Sequence, residues 1–303
     1  MPHTKPVRIK TISELHRMRG LPQPEHPLIS VVDYAAMGRP TENTPITMDF
    51  YSIAIKRGVG KMFYGQQQYD FDEGIMYFLA PHQVLRPNPE AFNSTERSGW
   101  ILYFHPDFLW HTPLAKAIRQ YDFFDYAVHE ALFLSQKEED VIHGIIQNIK
   151  QEYHSNIDKF SQNIIISQIE TLLNYSQRFY ERQFITRKVT NHRILGRLEN
   201  LLNAYFDGDN PGVKGLPGVQ FIADSLNVSP GYLSGLLKSL TGKSTQEHIH
   251  EKLIEKAKEK LSTTDLSVSE IAYELGFEHS QSFSKLFKNK TRQTPLAFRA
   301  AFN

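Results

Sequence analysis

Residues 280–289 read SQSFSKLFKN, and their polar members could do chemistry together. On a helix, Phe283, Leu286 and Phe287 would share one face, leaving Ser280, Gln281, Ser282, Lys285, Lys288 and Asn289 on the other. Gln and Lys side chains can donate hydrogen bonds to base edges in a duplex groove, while Ser, Asn and Lys can hold phosphates. The pattern occurs twice. Leu233, Leu236 and Leu237 repeat the apolar positions at an offset of 50, leaving Gly231, Tyr232, Ser234 and Lys238 for the outside.

Each polar helix needs a supporting helix and a tight turn before it. The first unit, residues 219–240, supplies Ile222, Ala223 and Leu226, then a turn at Asn227-Val228. Ser229 is suited to cap the second helix, with Pro230 at its first position, where a missing N–H costs nothing. The second unit, residues 268–290, repeats the pattern with Val268, Ile271, Ala272 and Leu275. Gly276 is placed for a left-handed turn, Phe277 plugs back inward, and Ser280 or His279 is the expected cap. Between the units, residues 246–261 form one helix with the stripe Ile249, Leu253, Ile254, Ala257 and Leu261. Its length of roughly 24 Å, with a unit packed at each end, suits two recognition helices about one DNA turn, roughly 34 Å, apart.

Charge agrees in sign with this reading. Residues 214–303 hold 12 Lys+Arg against 9 Asp+Glu, a net of +3, which leaves −2 for the remainder of a chain carrying +1. With 303 residues two domains are expected, and no cysteine is present to form disulfides or ligate zinc. No run of apolar residues is long enough to span a membrane, and the first ten residues lack the apolar core of a secretory signal. The reading is therefore of a cytoplasmic, nucleoid-associated protein with no membrane partner.

The first 110 residues read as all-β. Residues 49–56 alternate, with Phe50 on the face opposite Tyr51, Ile53 and Ile55; residues 75–79 and 100–104 are short apolar runs. Gly58 and Gly60 mark a turn, and residues 37–45 and 87–97 read as loops. Helical spacing takes over at 114–184. Ser135 and Glu138 form a capping box ahead of Val141–Ile149, Asp158 can cap a helix reaching about Phe184, and a third helix spans 190–205. A loop covers 207–218. The fold class is α+β with a barrel-like first domain, 1–184, and an all-α second domain, 185–303. Tyr51, Ile53, Tyr64, Phe78, Trp100 and Leu102 are the candidate lining of a small-molecule pocket, with core filling as the blander role. The Ile/Leu stripe at 164–179 packs the domain or serves a dimer.

An enzyme reading finds little footing. His82, His105 and His111 are isolated, no H-x-H pair occurs in the β region, and Gly58-Val59-Gly60 signals only a turn. No metal or cofactor is expected.

The stretch from IADSLNVSPGYLSGLLKSLTGKS through EKLIEKAKEKL to VSEIAYELGFEHSQSFSKLFKNKTRQTPLAFR resembles the AraC-type (AraC/XylS) family of bacterial transcription regulators. The hallmarks are I-A-x-x-x-G-F, S-F-S-K-L-F-K and the closing T-P-x-x-F-R. The resemblance implies two helix-turn-helix subdomains on a rigid helix, activation of promoters through RNA polymerase, and an N-terminal cupin-like domain that senses an effector or dimerises. Two residues depart from the family pattern: Gly235, where a larger polar or basic side chain is common, and Arg292, where glycine is common. The chain is read as a sequence-specific activator of promoter DNA, the alternatives being an effector-independent architectural DNA-binding protein and a barrel enzyme with a DNA-targeting tail.

Overall fold

The structure, a computed structural model, describes residues 6–38, 44–57, 62–64, 67–69, 75–85, 97–126, 130–155, 158, 160–186, 188–208 and 215–301, with backbone alone for 62–64, 67–69 and 188–192. The Gly58–Gly60 turn and the side chain of Tyr64 lie outside the described residues, as do most of the loops expected at 37–45 and 87–97 and the middle of 207–218. The chain divides into two compact units, Met1–Gln183 and Phe184–Asn303. Among the described residues no helix is long and apolar enough to cross a membrane.

The first unit opens with strand β1 (Val7–Ile9) and helix α1 (Ile12–Met18). That helix corrects the all-β expectation for residues 1–110. Its signal is a side-chain N-cap: the Glu14 amide donates to Thr11 Oγ1 at 3.1 Å, and the Glu14 carboxylate accepts from the Lys10 amide, just before the cap, at 2.8 Å. Strands β2 (Ile29–Asp33), β3 (Ile46–Met48), β4 (Tyr51–Arg57), β5 (Met62–Tyr64), β6 (Gln67–Tyr69), β7 (Ile75–Leu79) and β8 (Ser98–Phe104) follow. After a short helix α2 (Leu114–Ala117) and the last strand β9 (Leu132–Phe133) come two long helices, α3 (Gln136–Tyr153) and α4 (Ser161–Thr186).

One five-stranded sheet runs β2-β8-β4-β7-β9 with every neighbour antiparallel, beside the two-stranded pairs β1-β3 and β5-β6. Among the described residues the strands form no closed barrel. The central strands are buried on both faces: Ser52, Ile53, Ala54 and Ile55 are all enclosed.

The two faces differ in what they meet. Ile53 stands opposite Leu102 and Phe78, and Ile55 opposite Trp100. These residues, with Tyr51, share the face toward the α-helical side of the unit. Tyr51 stacks on Phe104 and meets Phe124 edge-on, both at 5.0 Å, while Phe78 lies 4.4 Å from Phe123 and 6.1 Å from Tyr180 of α4. Ser176 of α4 donates to Met76 Sδ at 3.8 Å. The other face carries Val32, Ala54, Leu79, Ile101 and Tyr103 against Ile9, Ile12, Leu15, Met37, Ile46 and Met48.

The end of α4 ties this layer down. Gln183 accepts from the Phe133 amide at 2.8 Å, and Arg182 grips Glu138 at 2.6 and 2.9 Å and the Phe133 carbonyl at 2.7 Å.

Candidate nucleic-acid interface

The second unit is helical throughout: α5 (Lys188–Asp207), α6 (Val219–Leu226), α7 (Pro230–Thr241), α8 (Thr245–Thr263), α9 (Val268–Glu274), α10 (Ser280–Thr291) and α11 (Pro295–Ala300). Helices α6 and α7 form the first helix-turn-helix. Ile222, Ala223 and Leu226 are buried, and Asn227 turns the chain in the left-handed region at φ 56°. The Val228 amide reaches back to the Ala223 carbonyl at 3.0 Å. Ser229 Oγ accepts from the Tyr232 amide at 3.2 Å, with Pro230 in the first turn.

Helices α9 and α10 repeat this turn bond for bond. Gly276 takes the Asn227 role at φ 90°, and the Phe277 amide donates to the Ala272 carbonyl at 3.0 Å. Phe277 meets Phe283 edge-on at 5.5 Å. Phe283 and Phe287 are fully buried. His279 occupies the cap position of α10 without a side-chain hydrogen bond.

Helix α8 holds the two units. Ile249, Leu253, Ile254, Ala257 and Leu261 are buried, so its expected stripe is its packed face, and the helix packs against α5, α7, α9 and α11. Both α8 and α9 begin with full capping boxes, Ser244 with Glu247 and Ser267 with Glu270. The serine hydroxyl and amide hold both carboxyls below the usual range, the Ser244 amide leading at Glu247 and the Ser267 hydroxyl at Glu270.

The closing T-P-x-x-F-R segment has a mechanical part. Thr294 caps α11, Phe298 packs edge-on against Phe287 at 5.6 Å, and Arg299 donates to the carbonyls of Leu261 at 3.2 Å and Leu266 at 2.6 Å. It thereby fastens the α8–α9 connection to the back of the second recognition helix.

The expected groove residues separate clearly. On α10, Gln281, Ser282, Lys285, Lys288 and Asn289 are exposed and Ser280 is half-buried. On α7 only Lys238 is exposed; Gly231 is half-buried, and Ser234 is half-buried with its hydroxyl 3.1 Å from that of the buried Thr245. Tyr232 is corrected outright. At 1% exposure it is a core residue, meeting Phe184 edge-on at 5.2 Å, because its position in the first turn of α7 points back toward the unit's interior.

The lysines divide in a way the sequence did not disclose. Lys243, Lys252, Lys256 and Lys260 are engaged by Glu251, Glu255, Asp207 with Glu259, and Glu274, at 2.6–2.9 Å. Among the described residues no carboxylate lies within ion-pair distance of Lys238, Lys258, Lys285, Lys288, Lys290 or Arg292. Four of these six cations lie on α7 and α10, Arg292 ends α10, and Lys258 of α8 lies over the Phe298 ring at 5.9 Å. Lys290 was passed over in the sequence; its signal was a third basic residue in the last turns of the helix. The neighbouring His248 and His250 are pushed below the ordinary imidazole value by burial and add no charge near neutrality.

Among the described residues no group of three His, Asp or Glu side chains is placed to hold a metal. The five described pocket candidates, Tyr51, Ile53, Phe78, Trp100 and Leu102, share one face of the sheet. Ile53 and Leu102 are at 0% exposure, Tyr51 is half-buried against Phe104 and Phe124, and Phe78 meets Phe123 and Tyr180.

Residues 222–301 match the family described as a helix-turn-helix domain. The chain is 34% identical over 116 residues to an uncharacterised HTH-type transcriptional regulator in the cgkA 5′ region of Pseudoalteromonas carrageenovora, covering 38% of this chain and 64% of that one. It is 25% identical to the HTH-type transcriptional activator RhaS of Escherichia coli O81 (strain ED1a), over 83% of this chain and 85% of that one. Among solved structures, the C-terminal domain of the response regulator yesN from Fusobacterium nucleatum aligns with 30% identity and a TM-score of 0.31, covering 34% of this chain and 95% of that one. The chain spans between 27% and 64% of the length of the curated relatives with which it shares 30% identity or more. Residues 222–301 thus form a helix-turn-helix domain of the AraC type, of the kind carried by bacterial transcription regulators.

Proposed function

We propose that this chain is a sequence-specific transcription activator that reads promoter DNA through residues 185–303, recruits RNA polymerase, and answers to a small-molecule effector held by residues 1–184, the same part serving as the dimer contact. The observation that carries the DNA reading is the division of the lysines. On α8, Lys252, Lys256 and Lys260 are ion-paired to carboxylates and Lys258 lies over the Phe298 ring, whereas Lys238 on α7 has no carboxylate within ion-pair distance among the described residues, nor do Lys285, Lys288 and Lys290, which share α10 with Gln281, Ser282 and Asn289. A helix face of unneutralised cations and amide donors suits phosphates at its edges and bases at its centre. Support for activation rather than repression comes from the activator named among the relatives, RhaS, which aligns along most of its length.

Helix α10 is the principal reader in this account and α7 the lesser. Lys238 is the one exposed polar side chain of those expected on α7, and Gly231 and Gly235 leave its outer face short of donors. Gln281→Ala or Lys285→Ala should weaken binding to a selected operator by about 1–3 kcal/mol, measured by fluorescence anisotropy on operator and scrambled duplexes in parallel. A preferential loss on the operator supports base reading; equal losses would reduce these residues to phosphate contacts, and no loss on either duplex would remove α10 from the interface.

A further inference from the structure

The face of the sheet opposite the packed aromatic layer carries a concentration of charge that the DNA-reading unit does not use. Lys56 sits on β4 with its Nζ 5.2 Å from the ring centre of Tyr34 and 5.6 Å from that of Tyr77. Arg97, just before β8, lies over Tyr34 at 5.7 Å and donates to the Met37 carbonyl at 3.3 Å. Arg19, at the end of α1, is 5% exposed and close enough to Lys56, Tyr34 and Tyr103 to act on their ionisation. Three cations and three tyrosines thus face one another from α1, β4, β7, β8 and the segment after β2.

No Asp or Glu among the described residues pairs with Lys56 or influences its charge. Burial, reinforced by Arg19, pushes its ammonium down to about 8. Arg19, Tyr34, Tyr77 and Arg97 make further contacts of their own, so Lys56 is the group whose charge calls for a partner. Aromatic rings attract a cation but do not neutralise it, and a half-buried ammonium such as Lys56 gains from an anion brought to it where the local dielectric is lowered.

We infer that Lys56, with Arg19 and Arg97, forms the binding site for a small organic anion, a carboxylate or phosphate ester, whose charge meets the Lys56 ammonium beside the rings of Tyr34 and Tyr77. The inference rests on the effector reading above and gives the effector a chemical class. It also moves the site to the sheet face opposite Tyr51, Ile53 and Phe78.

Protonation sets its pH behaviour. An anion favours the charged ammonium, so the bound complex holds its proton to higher pH than the free protein. Binding is strongest below pH 8, falls as pH rises through 8, and takes up protons near that pH. The groups facing Lys56 are Arg19, Arg97 and the tyrosines Tyr34, Tyr77 and Tyr103. Burial pushes the ionisation of all three tyrosines to higher pH, so none competes as an anion in this range.

The test uses the full chain and three probes of one ring size: benzoate, phenyl phosphate and the neutral benzamide. One or both anions should raise Tm at pH 7 while benzamide does not; which anion acts tells carboxylate from phosphate ester. The response should fade between pH 7.5 and 9, and calorimetry at pH 8 in two buffers of different ionisation enthalpy should register proton uptake. Lys56→Met should keep or raise the ligand-free Tm, because it removes a charge that burial disfavours, and should weaken the anion at least tenfold. Anion responses no larger than that of benzamide, or an undiminished response in Lys56→Met, would overturn the assignment. Operator binding, measured on the same preparations without probe, separates the two readings: operator binding with no anion response sinks only the effector class, and anion binding with no operator binding sinks only the DNA reading.

Discussion

Two single residues end the two recognition helices, and they differ at the position where the backbone demands most. Gly242 closes α7 at φ 74°, and Arg292 closes α10 at φ 64°. Each sends its amide back four residues, to the carbonyls of Lys238 and Lys288, at 2.9 and 2.8 Å. A side chain in this region costs about 1–2 kcal/mol that glycine does not incur. Gly242→Ala should therefore destabilise the protein by about 1 kcal/mol, with strain alone as the cause, since nothing lies within 4 Å of an added Cβ. Arg292→Gly should stabilise by a similar amount in denaturant titration. If Arg292 holds a phosphate, the same variant should lose operator and random-duplex affinity together. A stability gain with unchanged affinity would leave the strained arginine without a role in DNA binding.

Among the elements, α8 carries the most consequence, since both helix-turn-helix units pack on it. Leu253 at its middle is fully buried, and Leu253→Ala should cost about 2–5 kcal/mol and lower the melting of the second unit as a whole. Selective loss of one unit, seen by amide exchange, would show that α8 does not couple them.

The capping boxes make an acid-sensitive pair. Glu247 and Glu270 ionise below their ordinary value of 4.5, so their contribution is present above that pH and is lost as pH falls through the lowered folded values. Glu270→Gln should flatten the loss of helicity of the second unit between pH 5 and 3, and an unchanged profile would mean that the box contributes nothing measurable. These elements were readable in advance because their signals are local: Ser229-Pro230, Gly276 and the Ile-Ala pairs act within one turn of their own position. Helix α1 has the same kind of signal in Thr11 and Glu14, but it is short and lies among strands, so the surrounding β pattern hid it. The pocket face was illegible for a different reason. Alternation along β4 separates Tyr51, Ile53 and Ile55 from Ser52, Ala54 and Lys56, but says nothing of what covers each side, and both sides are buried here. Tyr232 failed likewise: a tyrosine early in a recognition helix suits a groove or a core, and only packing against Phe184 decides.

At the scale of the molecule, one unit presents unengaged cations on two recognition helices and the other encloses a cationic face in its sheet. The first arrangement makes DNA affinity a matter of counterion release, so operator binding should fall steeply between about 50 and 200 mM salt, with a slope that shallows by about one for each phosphate-contacting lysine removed. The inequality of α7 and α10 adds a prediction about the operator. The half read by α10 should be strongly constrained in sequence, and the half under α7, about one helical turn (roughly 10 bp) away, should be permissive. Selection of bound duplexes from a random pool, followed by footprinting of the winners, tests the central claim most directly. The account predicts a compact asymmetric site with two protected major-groove segments on one face of the DNA, the better-defined one lost with Gln281→Ala and Lys285→Ala. A pool that yields no shared sequence, or protection indifferent to those substitutions, would contradict it.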